Sequence, residues 1–126
     1  DTVSTNEING LNFGDNDNLS AIVARLICAD KLIILTDIDG LYDKDPRKNN
    51  DARKINIVNK TDKYIYKFAK DSGSNRGTGG MITKVKAARL CMEALIDCHI
   101  INGQNPDDIF RLLDGDESIG TVFKSI

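Results

Sequence analysis

From Asn18 to Ala29 the chain reads NLSAIVARLICA, placing Leu19, Ile22, Val23, Leu26 and Ile27 at i, i+3, i+4, i+7 and i+8 with Ser20 and Arg25 off the stripe. That is the period of an amphipathic helix, which Asp17 or Asn18 is placed to cap. KLIILT (31–36) follows as a continuous apolar run without alternation, the pattern of a strand buried on both faces. A stretch rich in Asp, Asn, Lys and Pro reads as a loop from Asp37 to Lys54, and INIV (55–58) as a weak strand. TDKYIYKFAK (61–70) predicts a modest helix capped by Thr61. Beyond the glycine-rich DSGSNRGTGG, the residues Met81, Val85, Ala88, Met92 and Leu95 recur at intervals of four and three, while Lys84, Lys86, Arg89 and Glu93 fall off that stripe. A helix therefore begins at Met81. CHIIN (98–102) is a second buried strand closed by Gly103, Asn105 and Pro106 open a further helix, and GTVF (120–123) suits a last edge strand.

Helices and strands alternate through short connections, so the fold class is α/β, with a largely parallel sheet flanked by helices. Ligands of such sheets sit beyond the carboxyl ends of the strands. Thr36 and Asp37 occupy one such end, which makes TDIDGLYDKDPRKN (36–49) a candidate lip of a site rather than an acidic surface loop.

The totals narrow the class further. A chain of 126 residues, 40% hydrophobic and 29% charged, has the size and composition of one ordinary globular domain. Its net charge of −2, without a Lys/Arg block, gives no electrostatic case for nucleic acid. No apolar run approaches the roughly 18 residues of a membrane span, and no signal-peptide pattern is present, so a cytoplasmic protein is expected. Cys28, Cys91 and Cys98 match neither a disulfide frame nor a zinc spacing and are expected as reduced core residues; His99 is expected as a packed strand residue. The chain opens at Asp1 without an initiator methionine and is expected to be part of something longer.

Two short segments carry candidate chemistry. GTGGMITK puts Gly77, Gly79 and Gly80 directly before a helix with Lys84 in its first turns. Glycines let the backbone approach a bulky anion, the helix N-terminus offers amide hydrogens, and the lysine adds a full charge. The spacing is neither that of a Walker A loop nor that of the dinucleotide G-x-G-x-x-G motif. In FGDNDN (13–18), Asp15, Asn16, Asp17 and Asn18 crowd the turn ahead of the first helix. A cap needs one such residue; four invite a second use, such as binding a small polar substrate, organising lysines or holding hydrated Mg²⁺.

DTVST, FGDNDNLSA, ADKLIILTDIDGLYDKDPR, GTGGMITK with the KAA that follows, and IGTVF together resemble the amino acid kinase family, over nearly the whole chain. LTD-DGLY-DPR is shared with aspartokinases, whereas GDNDNLSA followed by GTGGM-TK resembles the glutamate-phosphorylating branch. The resemblance implies ATP- and Mg²⁺-dependent phosphorylation of the L-glutamate γ-carboxylate, the first step of proline biosynthesis. It further implies that residues 1–126 are the C-terminal, ATP-binding part of a single domain whose N-terminal half is absent, that this part alone is inactive, and that the protein is a homo-oligomer. Residue by residue, Asp1 and Asn16 would bind glutamate, and Asp17 and Lys84 would be catalytic. Thr36 and Asp37 would contact the nucleotide, and Thr78, Gly79, Gly80, Met81, Ile82, Thr83 and Lys84 would wrap its phosphates. Tyr42 and Asp45 would border the adenosine. The chain departs from the family in NGLN (9–12), an insertion that lengthens the spacing from Asp1 to Asn16. Another acyl-phosphate-forming kinase such as an aspartokinase, and a noncatalytic nucleotide-binding module, are the alternatives.

Overall fold

The computed structural model describes residues 16–60, 62–71 and 80–125. Asp1, the DTVST segment, Asp15, the Thr61 cap and the loop positions Gly77, Thr78 and Gly79 lie outside the described residues. Four helices and four strands follow in the order α1 (Asn16–Leu26), β1 (Lys31–Thr36), β2 (Ile57–Val58), α2 (Ile65–Asp71), α3 (Met81–Glu93), β3 (Asp97–Asn102), α4 (Asp107–Leu113) and β4 (Thr121–Phe123). The strands form one sheet in the order β1-β3-β4-β2. β1 runs parallel to β3, from Lys31 opposite Asp97 to Thr36 opposite Asn102, and β2 runs parallel to β4. The β3–β4 pair is antiparallel, so the sheet is mixed rather than uniformly parallel.

Two strands differ in place from their sequence patterns. β1 was expected to be buried on both faces, yet it is the edge of the described sheet, and Leu35 is 51% exposed. GTVF was expected at an edge, yet β4 sits between β3 and β2 with Thr121, Val122 and Phe123 all buried. A short apolar run records that a strand is buried, not which neighbours bury it. β3 agrees with its pattern: Ile100 and Ile101, on opposite faces, are both fully buried.

The core lies between this sheet and α1, α2 and α3. The predicted α3 stripe is buried at Met81, Val85, Ala88 and Met92, but Leu95 lies past the helix end with φ 61° and is exposed. On α1 the burial departs further. Ala21 and Ala24 are buried with Leu19, whereas Leu26 and Ile27 are exposed. Small residues let helices approach closely: α1 packs on α3, and its buried Ala21 and Ala24 belong to the same core cluster as Ala87, Ala88 and Cys91. The larger residues Leu19, Val23 and Ile27 line a groove beside β1 instead. α2 starts at Ile65, later than expected, because Asn59 and Asp62 close a turn: the Asn59 amide donates to Asp62 Oδ2 at 2.8 Å and the Asp62 amide to Asn59 O at 3.1 Å. Pro106 has helical angles, and Asn105 Oδ1 accepts from the Asp107 amide at 3.2 Å, as the Asn-Pro signal predicts. Cys91 and Cys98 are buried as expected, but Cys28 is exposed, in a left-handed conformation (φ 53°) just past α1.

One buried hydroxyl fixes the loop after β1. Thr121 Oγ1 accepts from the Leu41 amide at 2.9 Å and donates to Ile55 O at 2.5 Å, joining both ends of the 37–54 excursion to β4. Gly40 is required beside it: its φ is +150°, and a Cβ there would stand 2.7 Å from that hydroxyl. Thr121→Val keeps the shape and strands a buried amide and carbonyl. It should cost about 1–3 kcal/mol in denaturant unfolding, with Thr121→Ser much nearer the parent.

His99 is a half-buried strand residue, as expected, but its Nε2 is buried without a hydrogen-bond partner. Burial, and then Lys31, hold its pKa below the usual 6.5. The folded state thus favours neutral imidazole, while the unfolded chain takes up a proton first as pH falls. Stability should decline as pH falls through and below about 6.5, the unfolded-chain value, and His99→Gln should flatten that decline in unfolding curves at each pH.

Candidate active site

α1 leads into β1, and α3 into β3, through tight turns. Each helix therefore runs against its strand, with its N-terminus at the strand's carboxyl edge. Because β1 and β3 are parallel, α1 and α3 are parallel too. Ion pairs join both ends: Lys84 Nζ lies 3.1 Å from Asp17 Oδ2 near the N-termini, and Arg25 lies 4.0 Å from Glu93 near the C-termini. The two pairs differ in exposure. The side chains of Asp17 and Lys84 are 15% and 16% exposed, those of Arg25 and Glu93 45% and 65%. The first is a sheltered contact of the kind that holds a geometry; the second is a solvated pair of small energetic consequence.

Asp17, in the first turn of α1, complements that helix's positive end. α3 has no acidic residue in its own first turn. A helix start of this kind offers free amide hydrogens to an anion, and Lys84 in the same turn faces the Asp17 carboxylate. Gly80 precedes the helix with φ 100° and ψ −172°, a conformation that favours glycine and leaves the backbone open to close approach. Thr83 lies in the same turn, its hydroxyl 3.2 Å from Asp17 Oδ2 and 2.8 Å from Gly80 O. Met81 is buried and anchors the turn, Ile82 is half-buried, and Asn16 begins α1 exposed to solvent.

The lip forms a second group along the same sheet edge. Thr36 ends β1 half-buried, with its hydroxyl 3.4 Å from the exposed carboxylate of Asp37. Asn102 ends β3 opposite Thr36, donates to Asp39 Oδ1 at 3.1 Å and accepts from the Gln104 amide. Asp39, Tyr42, Lys54, Asn102, Arg111 and Ile119 help line a shallow cavity of about 290 Å³. Burial and then Asp39 push the Tyr42 phenol upward, keeping it neutral. Asp45 is differently engaged. Only 5% exposed, it accepts from the Arg47 amide at 2.9 Å and organises the DPRKN turn, so its carboxylate faces its own loop. Asn102 was not singled out from the sequence, although the reasoning that selected Thr36, a polar residue at the end of an apolar strand, applies equally to CHIIN.

A profile of the amino acid kinase family matches residues 1–102. This chain belongs to the amino acid kinase family. It is 52% identical over 98% of its length to a protein named glutamate 5-kinase from Clostridium perfringens, and covers 46% of that relative. A glutamate 5-kinase from Caldanaerobacter subterraneus is 48% identical over 98% of the chain, with 32% of the relative covered. The chain thus spans about a third to a half of the curated relatives it matches. Among solved structures, the isopentenyl phosphate kinase of T. acidophilum, in a product complex, superposes with a TM-score of 0.64 at 28% identity, covering 87% of this chain and 39% of that one. A uridylate kinase from Archaeoglobus fulgidus gives 0.65 at 25% identity, covering 86% and 47%. The fold class expected from the sequence is that of the family.

Proposed function

We propose that this chain is the nucleotide-binding part of an enzyme that transfers the γ-phosphoryl group of Mg-ATP to the γ-carboxylate of L-glutamate, giving L-glutamyl 5-phosphate, the first step of proline biosynthesis. The remaining part of the active site would lie in the portion of the longer relatives that this chain does not cover. The observation that supports the reading is the sheltered Lys84–Asp17 pair where two parallel helices begin, beside a helix start without a carboxylate of its own.

A glutamate side chain has a free pKa near 4.3 and is ionised at neutral pH, so no base is needed to create the nucleophile. The difficulty is to bring two anions together in line and to hold the charge that spreads over the transferring group. Lys84 and the α3 amides supply fixed positive potential there. Asp17 acts as an organiser, fixing Lys84 before the nucleotide arrives. Thr36 and Asp37 meet the nucleotide at the lip, Tyr42 borders the adenosine, and Asn16, with Asp1, holds the amino acid.

Mg²⁺ fits this arrangement as a companion of the phosphates, because it keeps phosphate and water ligands and needs one or two carboxylates at most. Asp17 is the carboxylate at hand beside the α3 turn. When bound, the ion would neutralise phosphate charge and orient the β- and γ-oxygens.

The deciding experiment traps acyl phosphate with hydroxylamine, using the complete protein with Mg-ATP and L-glutamate, L-aspartate or N-acetyl-L-glutamate. Product with glutamate alone is expected. Product with aspartate would replace the substrate while keeping the nucleotide site, and ATP binding without any product would mark a noncatalytic module. Asp17→Asn should lower turnover about a hundredfold or more while ATP affinity changes only a few-fold. Lys84→Ala should impair both; normal nucleotide affinity and turnover in that variant would refute the phosphate assignment.

A further inference from the structure

The cavity of about 290 Å³ beside the lip is close in size to the smaller pockets that hold organic ligands. Asn102, the last residue of β3, stands in its wall, and α3, which leads into β3, begins at the same sheet edge. The cations of this cavity are already engaged by the protein. Lys54 Nζ donates to Ser118 O at 2.7 Å, and Arg111 pairs with Asp116 at 2.9 Å and with Asp108 at 3.4 Å. A cavity whose positive groups are committed in this way does not suit a phosphate.

Acceptor capacity remains instead. Asp39 Oδ1 accepts from Asn102 Nδ2 at 3.1 Å, and Asn102 Oδ1 accepts from the Gln104 amide at 2.9 Å. The Asn102 amide group is thus held from one side while it holds the Asp39 carboxylate from the other. Among the described residues, no donor but Asn102 bonds to Asp39. An ionised carboxylate only accepts, so what it offers here is a place for a neutral donor. A hydroxyl donating to a charged oxygen is the stronger form of that contact. Tyr42 stands in the same wall with a neutral phenol, adding no charge that would favour an anion.

A nucleotide divides its chemistry in the same manner, with anionic phosphates at one end and a sugar bearing two vicinal hydroxyls toward the other. With the phosphates at the start of α3, the nucleoside extends along the sheet edge past Asn102 to the lip. We propose that Asp39 is a nucleotide-binding residue whose carboxylate accepts a hydrogen bond from the 2′- or 3′-hydroxyl of the ribose. This role rests on the nucleotide of the kinase reading above, not on its glutamate. It makes Asp39 a determinant of selectivity for a ribonucleotide over its deoxy forms. Asp39 is exposed, so the new bond replaces one to water and its effect lies at the low end for a charged hydrogen bond, about tenfold.

The test is calorimetry on the complete protein with Mg-ATP, Mg-2′-deoxy-ATP and Mg-3′-deoxy-ATP. One of the two deoxynucleotides should bind about tenfold more weakly than ATP. Asp39→Ala should weaken ATP by a similar factor while that deoxynucleotide keeps its affinity within about twofold, because carboxylate and hydroxyl are the two halves of one contact. Asp39→Asn, which retains an acceptor oxygen without the charge, should fall between parent and Asp39→Ala. It also carries the comparison if melting curves show that Asp39→Ala is unfolded. Equal affinity of the unsubstituted protein for all three nucleotides would overturn the role. So would an Asp39 variant that weakens all three alike, or one that binds ATP as the parent does. Hydroxylamine trapping separates the two readings: ATP binding without acyl hydroxamate removes the glutamate kinase and leaves the ribose contact to the calorimetry, whereas absence of ATP binding removes both.

Discussion

The close parallel packing of α1 on α3 is the contact on which the candidate site depends. Ala21 and Ala24 on one helix, with Ala87, Ala88 and Cys91 on the other, are all buried and small enough to let the two backbones approach. Parallel helices that feed parallel strands must begin at the same edge of the sheet. Two residues distant in sequence, Asp17 and Lys84, are thereby brought within 3.1 Å of each other. Larger side chains at the alanine positions would part the helices and the ion pair together.

The same geometry divides the electrostatic work between the two helix ends. α1 has its own counter-charge in Asp17, and that carboxylate also restrains Lys84 and faces Thr83. α3 begins with a glycine, two apolar residues and a threonine, and has no carboxylate of its own in its first turn. Its amides are therefore suited to an external anion. Preorganisation of this kind fits a reaction whose nucleophile is already ionised and whose barrier comes from assembling and stabilising negative charge.

The lip follows a separate constraint. Residues 37–54 leave the sheet at β1 and return beside β4, held at both ends by Thr121 and closed by a bridge between Tyr42 and Lys54. Asp45, sheltered within its own turn, stiffens the outer part. An acidic loop of this length thus keeps a defined shape next to Thr36 and Asn102, with most of its outer lysines and asparagines in solvent.

Local chemistry alone determined much of this protein. The periods of α1 and α3, the apolar strands, the Asn-Pro helix start and the glycine turn before Met81 were legible because each depends on residues within a few positions of one another. So were the positions of Asp17 and Lys84 in the first turns of their helices and of Thr36 at the end of its strand. Sheet position was not legible. An apolar run such as KLIILT or GTVF has the same composition at an edge as between two neighbours, and only pairing decides. Nor did periodicity reveal that Ala21 and Ala24 are buried on α1 while Leu26 and Ile27 are exposed, because burial depends on the partner elements. The use of Asp45 within its own turn, the three-way tie of Thr121, and the single hydrogen of Thr83 between two acceptors exist only once distant segments meet, and those were settled by the tertiary structure.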